Sequence, residues 1–184
     1  YTEITDNFYM EWQMYKDLKF IGRFGYTQKQ DSREDFYPGN HTKFAEWTGD
    51  NYFKRGAYYI KDGTNKTLKI DATFNYSKQW DKHLLFANLN WNLQQDSYDY
   101  HGMEALGFLN DKVDHVAFAK QYAENGSPSG DETTTREIGV VGAINYSYDN
   151  RYLADASYRL SGSSVYGADN RWGGFWSAGI GWNM

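Results

Sequence analysis

Residues 138–184 read IGVVGAINYSYDNRYLADASYRLSGSSVYGADNRWGGFWSAGIGWNM. Even positions from Ile138 to Tyr148 are Ile, Val, Gly, Ile, Tyr and Tyr, and Asp149-Asn150 follows as a turn. Tyr152, Ala154, Ala156, Tyr158 and Leu160 then alternate with Leu153, Asp155, Ser157 and Arg159. After a glycine-serine loop, Trp172, Gly174, Trp176, Ala178, Ile180 and Trp182 share one face, with Ser177, Gly179, Gly181 and Asn183 on the other. A period of two sends alternate side chains to opposite faces of a pleated sheet, so each strand has one apolar and one small or polar face.

The same pattern runs outward through the chain. Phe8, Met10, Trp12 and Met14 alternate with Tyr9, Glu11, Gln13 and Tyr15, and Lys16-Asp17 follows as a turn. Leu18, Phe20, Gly22, Phe24 and Tyr26 open a second strand, which continues on polar residues to about Glu34. Leu68, Ile70, Ala72, Phe74 and Tyr76 lie opposite Lys69, Asp71, Thr73, Asn75 and Ser77, ahead of a turn at Asp81-Lys82. Leu85, Ala87, Leu89, Trp91 and Leu93 lie opposite Asn88, Asn90 and Asn92, with a polar continuation to about Tyr100. Residues 36–65 are rich in turn signals: Pro38-Gly39-Asn40, Gly49-Asp50-Asn51 and Asp62-Gly63. Within them a short strand is expected over Tyr58–Lys61, with Asp62-Gly63 as its hairpin turn. In the connection 101–133, apolar residues at 113, 116, 117 and 123 predict a short loop helix over Val113–Glu124, capped by Asp111 and ended by Asn125-Gly126.

Connections therefore alternate between tight (16–17, 81–82, 149–150) and long (36–65, 101–133, 162–170). Short periplasmic turns and longer extracellular loops are the signature of an outer-membrane β-barrel. Seven strands are expected. Bacterial barrels have even strand numbers, so a segment of a larger barrel is implied. On this reading Phe20, Phe24, Ile70, Phe74, Leu89, Val140, Ile144 and Ile180 face lipid, while Asn88, Asn90, Asn92, Asp155 and Arg159 face the lumen. Trp80, Tyr148 and Tyr152 beside the tight turns, and Tyr26, Trp172 and Trp176 further along, suit the aromatic girdles at the two membrane boundaries.

Composition agrees. The 184 residues carry a net charge of −5, which argues against nucleic acid as a partner. Aromatic residues are 19% of the chain, led by 17 Tyr and 7 Trp. No apolar run approaches the roughly 20 residues of a membrane helix, but barrel strands hide their polar residues on the lumen side. The chain has no cysteine, so disulfides and thiolate metal sites are excluded. His41, His83, His101 and His115 have no neighbour at metal-ligand spacing, and Asp111 and Asp114 suit a helix start. Gly162-Ser163-Ser164 is not a nucleophile elbow. No catalytic residue and no cofactor or metal site is read from the sequence.

One stretch also carries a resemblance. Tyr148-Asp149-Asn150-Arg151-Tyr152-Leu153, Arg159, Gly162-Ser163-Ser164, Gly167, Asn170-Arg171-Trp172-Gly173, Phe175, Ser177 and Trp182 resemble the SusC/RagA-like TonB-dependent transporters of the Bacteroidetes outer membrane. Ser161, Tyr166 and Trp176 depart from the family's usual Asp, Phe and Pro. The resemblance implies a barrel of about 22 strands with a plugged lumen. Residues 1–184 would then be part of one barrel domain, with the plug and the other strands outside this chain. It also implies a Gram-negative outer-membrane location, outer-membrane lipid around the wall and a transporter rather than an enzyme. The implied cargo is an oligosaccharide (glycan) or peptide. Its implied partners are a SusD-like lipoprotein lid and a TonB-like protein that acts through the plug.

Tyr37, Trp47, Tyr52, Tyr98 and Tyr100, read as loop aromatics, are candidates for substrate or lid contact, since such rings stack on sugars as well as packing loops. Two other architectures remain open on the residues alone. A soluble carbohydrate-binding β-sandwich would have loops of mixed length at both ends. A β-rich glycoside hydrolase would need two facing carboxylates, for which the sequence names no pair.

Overall fold

The computed structural model describes residues 1–108, 110–167 and 170–183. Met184 and two residues of the loop expected over 162–170 lie outside the described residues. Eight strands are present among the described residues: β1 (Thr2–Tyr15), β2 (Leu18–Tyr37), β3 (Ala57–Trp80), β4 (His83–Leu106), β5 (Gln121–Tyr122), β6 (Ser129–Tyr148), β7 (Tyr152–Ser163) and β8 (Trp172–Trp182). They form a single sheet in the order β1-β2-β3-β4-β6-β7-β8, with β5 added to β4. The pairs β4–β5, β6–β7 and β7–β8 are antiparallel. A sandwich would need two stacked sheets, so the one-sheet order removes that alternative. The eighth strand, the two-residue β5, is one more than the periodicity predicts.

The tight turns fall where the sequence places them. The β6–β7 turn is closed by the Arg151 N–H donating to the Tyr148 carbonyl at 3.0 Å. Asp149 and Asn150 each sit at φ +54°, a region that Asp and Asn tolerate better than other side-chain-bearing residues. Neighbouring turns are tied together. The Asp149 N–H donates to the Lys82 carbonyl at 2.7 Å, and Lys82 Nζ donates to the Asp149 carboxylate at 3.1 Å. Aromatic rings gather beside these turns. Trp80 stacks on His83 at 5.2 Å, His83 bonds the Tyr146 hydroxyl at 2.6 Å, Tyr148 stacks on Tyr152 at 6.3 Å, and Tyr152 pairs with Trp182 in register.

The long connections are shorter than expected, because the strands run on. Asp62-Gly63 is not a hairpin turn, and Tyr58–Lys61 is not a separate strand: both lie inside the unbroken 24-residue β3. A Cβ built on Gly63 would lie 3.3 Å from the Tyr98 hydroxyl, so this glycine leaves room for a ring instead of reversing the chain. Tyr98 and Tyr100, named among the loop aromatics, belong to β4, in keeping with the strand continuation expected to about Tyr100. Pro38 follows the last residue of β2 and Pro128 precedes the first of β6, consistent with the missing proline N–H.

In place of the helix expected over Val113–Glu124 there is a 3-10 turn, Val116–Phe118, capped by His115 Nδ1 instead of Asp111. The backbone beyond it is claimed by β4. Lys120 N–H donates to the Leu106 carbonyl at 2.9 Å and Ala123 N–H to the Glu104 carbonyl at 3.2 Å. These bonds hold 120–123 extended, and a longer helix would have to break them. Two further 3-10 turns, Thr42–Phe44 and Gly49–Lys54, shape the connection between β2 and β3.

The chain divides into two compact units. One comprises residues 1–3, 28–65 and 98–133, and it holds all the buried apolar side chains among the described residues: Phe44, Ala57, Tyr58, Ala105, Leu106 and Phe108. Phe36 packs edge-on to Phe108 at 5.2 Å, and Trp47 packs edge-on to Phe44 at 5.1 Å. Gly56, at φ +83°, lies against Phe108, where an added Cβ would be 2.8 Å from the Phe108 Cβ. The other unit comprises residues 4–27, 66–97 and 134–184. Its apolar face is bare: Ile180 is 94% exposed, Trp176 79% and Ile144 53%. A contiguous face of this kind is larger than soluble monomers usually carry.

Candidate functional site

Two polar arrangements stand out, one in each unit. In the larger unit, the polar faces of β3 and β4 interlock. Asn88 Nδ2 donates to Asn75 Oδ1 at 2.7 Å, Asn90 Nδ2 to Asp71 Oδ2 and Thr73 Oγ1 at 2.8 Å each, and Asn92 Nδ2 to Asn90 Oδ1 at 3.2 Å. Arg23 on β2 reaches Asp71 at 3.5 Å. Asn92 also lies beneath Gly139, so its side chain shares the face of the odd residues of β6. Register carries that face across to Ser161, Arg159, Ser157 and Asp155 on β7. Arg159 Nε donates to Ser161 Oγ at 2.9 Å, Ser157 and Ser177 share a hydrogen bond of 2.8 Å, and Asp155 lies over Gly179. Thus Asn88, Asn90, Asn92, Asp155 and Arg159 occupy one polar face. The three asparagines are hydrogen-bonded to neighbouring side chains of the sheet, which fixes their amides in place.

In the smaller unit, β2, β3, β4, the start of β6 and the two neighbouring connections line an open cavity of about 630 Å³. Tyr37, Tyr59 and Tyr100 line it with Arg33, Asp35, Lys43, Lys61 and Glu104. The strands place these groups by alternation: 33, 35 and 37 on β2, 59 and 61 on β3, 100, 102 and 104 on β4. Tyr37 meets Tyr59 edge-on at 5.7 Å. The Lys43 ammonium donates to the Tyr59 hydroxyl and lies 4.7 Å from that ring's centre, 5.2 Å from Tyr37 and 5.9 Å from Phe44. Burial and the nearby Glu104 carboxylate raise the Tyr59 pKa, opposed by the Lys43 contact. This contact with Tyr59 raises the Lys43 pKa above the ordinary lysine value, chiefly through the hydrogen bond. Lys61 lies 4.5 Å from the centre of the Tyr100 ring.

Of the five aromatic residues singled out from sequence, Tyr37 and Tyr100 line this cavity, and Tyr98 stands 5.7 Å from Tyr100. Trp47 packs the loop: its ring lies on Phe44 and its carbonyl accepts from Arg55 Nε at 2.8 Å. Tyr52 is half exposed beneath the Arg55 guanidinium, 4.8 Å away. Lys43, Tyr59, Lys61 and Glu104 were not anticipated. Tyr59 and Lys61 were legible in principle, two apart on a strand, but the expected hairpin turn concealed their continuity with β3. Lys43 has no local signal. No group of His, Cys, Asp and Glu among the described residues is placed to hold a metal ion.

No protein-family model matches the chain. Among curated proteins it is 34% identical over 113 residues to TonB-dependent receptor P39 of Formosa agariphila, 60% of this chain and 11% of that protein. It is 25% identical over 182 residues to TonB-dependent receptor P3 of the same organism, 97% of this chain and 17% of that protein. Over 47 residues, 26% of this chain and 5% of the relative, it is 45% identical to TonB-dependent receptor SusC of Bacteroides thetaiotaomicron. The chain thus spans less than a fifth of each of these relatives. In fold, 97% of it superposes on 19% of a chain in the structure of the RagAB peptide transporter, with a TM-score of 0.79 and 20% identity. The RagAB peptide importer in its "open-open" state gives a TM-score of 0.75 and 21% identity. By sequence the chain is similar to parts of TonB-dependent receptors, SusC among them, and by fold to part of the RagAB transporter, which together support a SusC/RagA-like TonB-dependent transporter fragment.

Proposed function

We propose that residues 1–184 form part of one barrel domain in a Gram-negative outer membrane, where they supply wall and extracellular loops to an energy-coupled importer of oligosaccharides or peptides. The observation that carries this is the two-faced sheet. A hydrogen-bonded polar lining of Asn88, Asn90 and Asn92 backs a bare apolar face bearing Ile144, Trp176 and Ile180. Water on one side and lipid on the other satisfies both faces. Asp155 and Arg159 then face the lumen, and the rings around His83 sit at the periplasmic boundary. The connections 38–56 and 107–128 lie outside the cell, toward a SusD-like lipoprotein lid. A TonB-like protein acting on the plug supplies the energy. The chain's role is passage, with no catalytic step and no cofactor.

The experiment is uptake. A strain lacking the gene should fail to accumulate the labelled cargo that its parent takes up. Uptake in the parent should collapse when the proton gradient is discharged. Unchanged accumulation in the deletion strain, or uptake indifferent to the gradient, would refute the reading.

A further inference from the structure

The cavity of the smaller unit is cationic within an acidic chain. Its lining carries Arg33, Lys43 and Lys61 against Asp35 and Glu104, while the whole sequence has a net charge of −5. Of the two carboxylates, Asp35 is engaged by Arg33, whose Nε donates to it at 2.7 Å, and Glu104 lies near enough to Tyr59 and Lys43 to act on both electrostatically. The two ammonium groups are held differently. Lys43 is bonded to a neutral hydroxyl and surrounded by rings, and Lys61 lies over Tyr100; neither forms an ion pair with a carboxylate among the described residues. An aromatic ring positions an ammonium without neutralising it, so its remaining N–H donors and its charge stay available to a ligand.

The floor of the cavity favours one kind of anion. It is made of β2, β3 and β4, which are interior strands of the sheet order. Their backbone groups face one another, so no free edge is offered to an extended peptide, which would bind by adding a strand. Recognition must come from side chains. A tyrosine wall beside a fixed ammonium matches a sugar that carries an acid on its ring: the carbon skeleton lies against the phenol and the carboxylate meets the N–H donors.

We propose that this cavity binds an acidic oligosaccharide whose ring units carry carboxylates, with Tyr37 and Tyr100 flanking the sugar and Lys43 and Lys61 meeting its acid groups. This rests on the importer reading above and narrows its cargo.

The test uses the full-length transporter in detergent and three probes of equal length: a galacturonic acid tetramer, a neutral galactose tetramer and a tetraglutamate peptide. Calorimetry should give the acidic sugar at least about tenfold higher affinity than the neutral one. That preference should weaken as salt is raised. The double variant Lys43→Met, Lys61→Met should lose about tenfold in affinity for the acidic tetramer, with the heat-denaturation profile of the barrel unchanged to certify folding. Equal affinity for the two sugars would overturn the acid preference and leave the importer reading intact. Tighter binding of tetraglutamate would overturn the saccharide in favour of a peptide. Binding of none of the three would overturn the proposal as well, because uptake in the deletion strain tests the importer reading separately.

Discussion

Replacing Ile144 by Arg should destabilise the barrel far more than the same replacement at the next residue, Asn145. On β6 the apolar face runs from Ile138 to Tyr148, ten residue steps. At about 3.3 Å per residue and a strand tilt of about 40°, this covers about 25 Å along the membrane normal, the height of an outer-membrane apolar band. Ile144 lies four steps, about 10 Å, from the Tyr148 end on the same scale, close to the middle of that band. It is opposite Ala156 in register and 53% exposed, so a guanidinium there would meet hydrocarbon instead of a protein partner. The cost of Arg near the midplane is about 2–4 kcal/mol. Asn145 points to the other face, opposite Asp155, where an arginine gains water and a carboxylate. Its effect should stay within about 0.5 kcal/mol, as for ordinary surface changes. The assay is reversible unfolding of the full barrel in lipid vesicles by guanidinium, followed by tryptophan fluorescence. Equal costs at 144 and 145 would refute the assignment of faces.

Other outcomes follow from the same geometry. Gly56→Ala should destabilise the smaller unit by about 1–3 kcal/mol, because φ +83° is strained for alanine and the new methyl meets Phe108; faster protease cleavage within 38–56 would report it. Protease added to intact cells should cut within 107–128 and spare Asp149-Asn150, and the reverse pattern would invert the proposed topology. Because its pKa is raised, Lys43 contributes its share of stability in full below the ordinary lysine pKa, and that share is lost only as pH rises through the raised value. Affinity for an acidic tetramer should therefore be flat from about pH 6 to 9 and fall in more alkaline solution. A decline centred near neutrality would exclude Lys43 as the anion's partner. Expressed alone in plain buffer, residues 1–184 should associate through the bare face of Ile144, Trp176 and Ile180, and a monodisperse monomer by light scattering would contradict the lipid-facing reading.

Alternation along each strand was legible from the residues alone, since which face a side chain takes depends only on odd or even position. That sufficed to separate Ile144 from Asn145, to put Asn88, Asn90 and Asn92 on one face, and to place the turns at 16–17, 81–82 and 149–150. The last of these is written in residues that tolerate positive φ, a preference that needs no distant partner. Where the chain is polar throughout, alternation says little, and local signals misled. Asp62-Gly63 reads as a turn by composition, yet pairing within the sheet and the ring of Tyr98 keep it extended. Residues 113–124 have a helical spacing of apolar groups, yet the Leu106 and Glu104 carbonyls claim their backbone. The cavity of Tyr37, Lys43, Tyr59, Lys61 and Glu104 belongs wholly to tertiary structure. Its members come from two strands, a loop and a third strand, and sequence distance carries no information about which of them will share a wall.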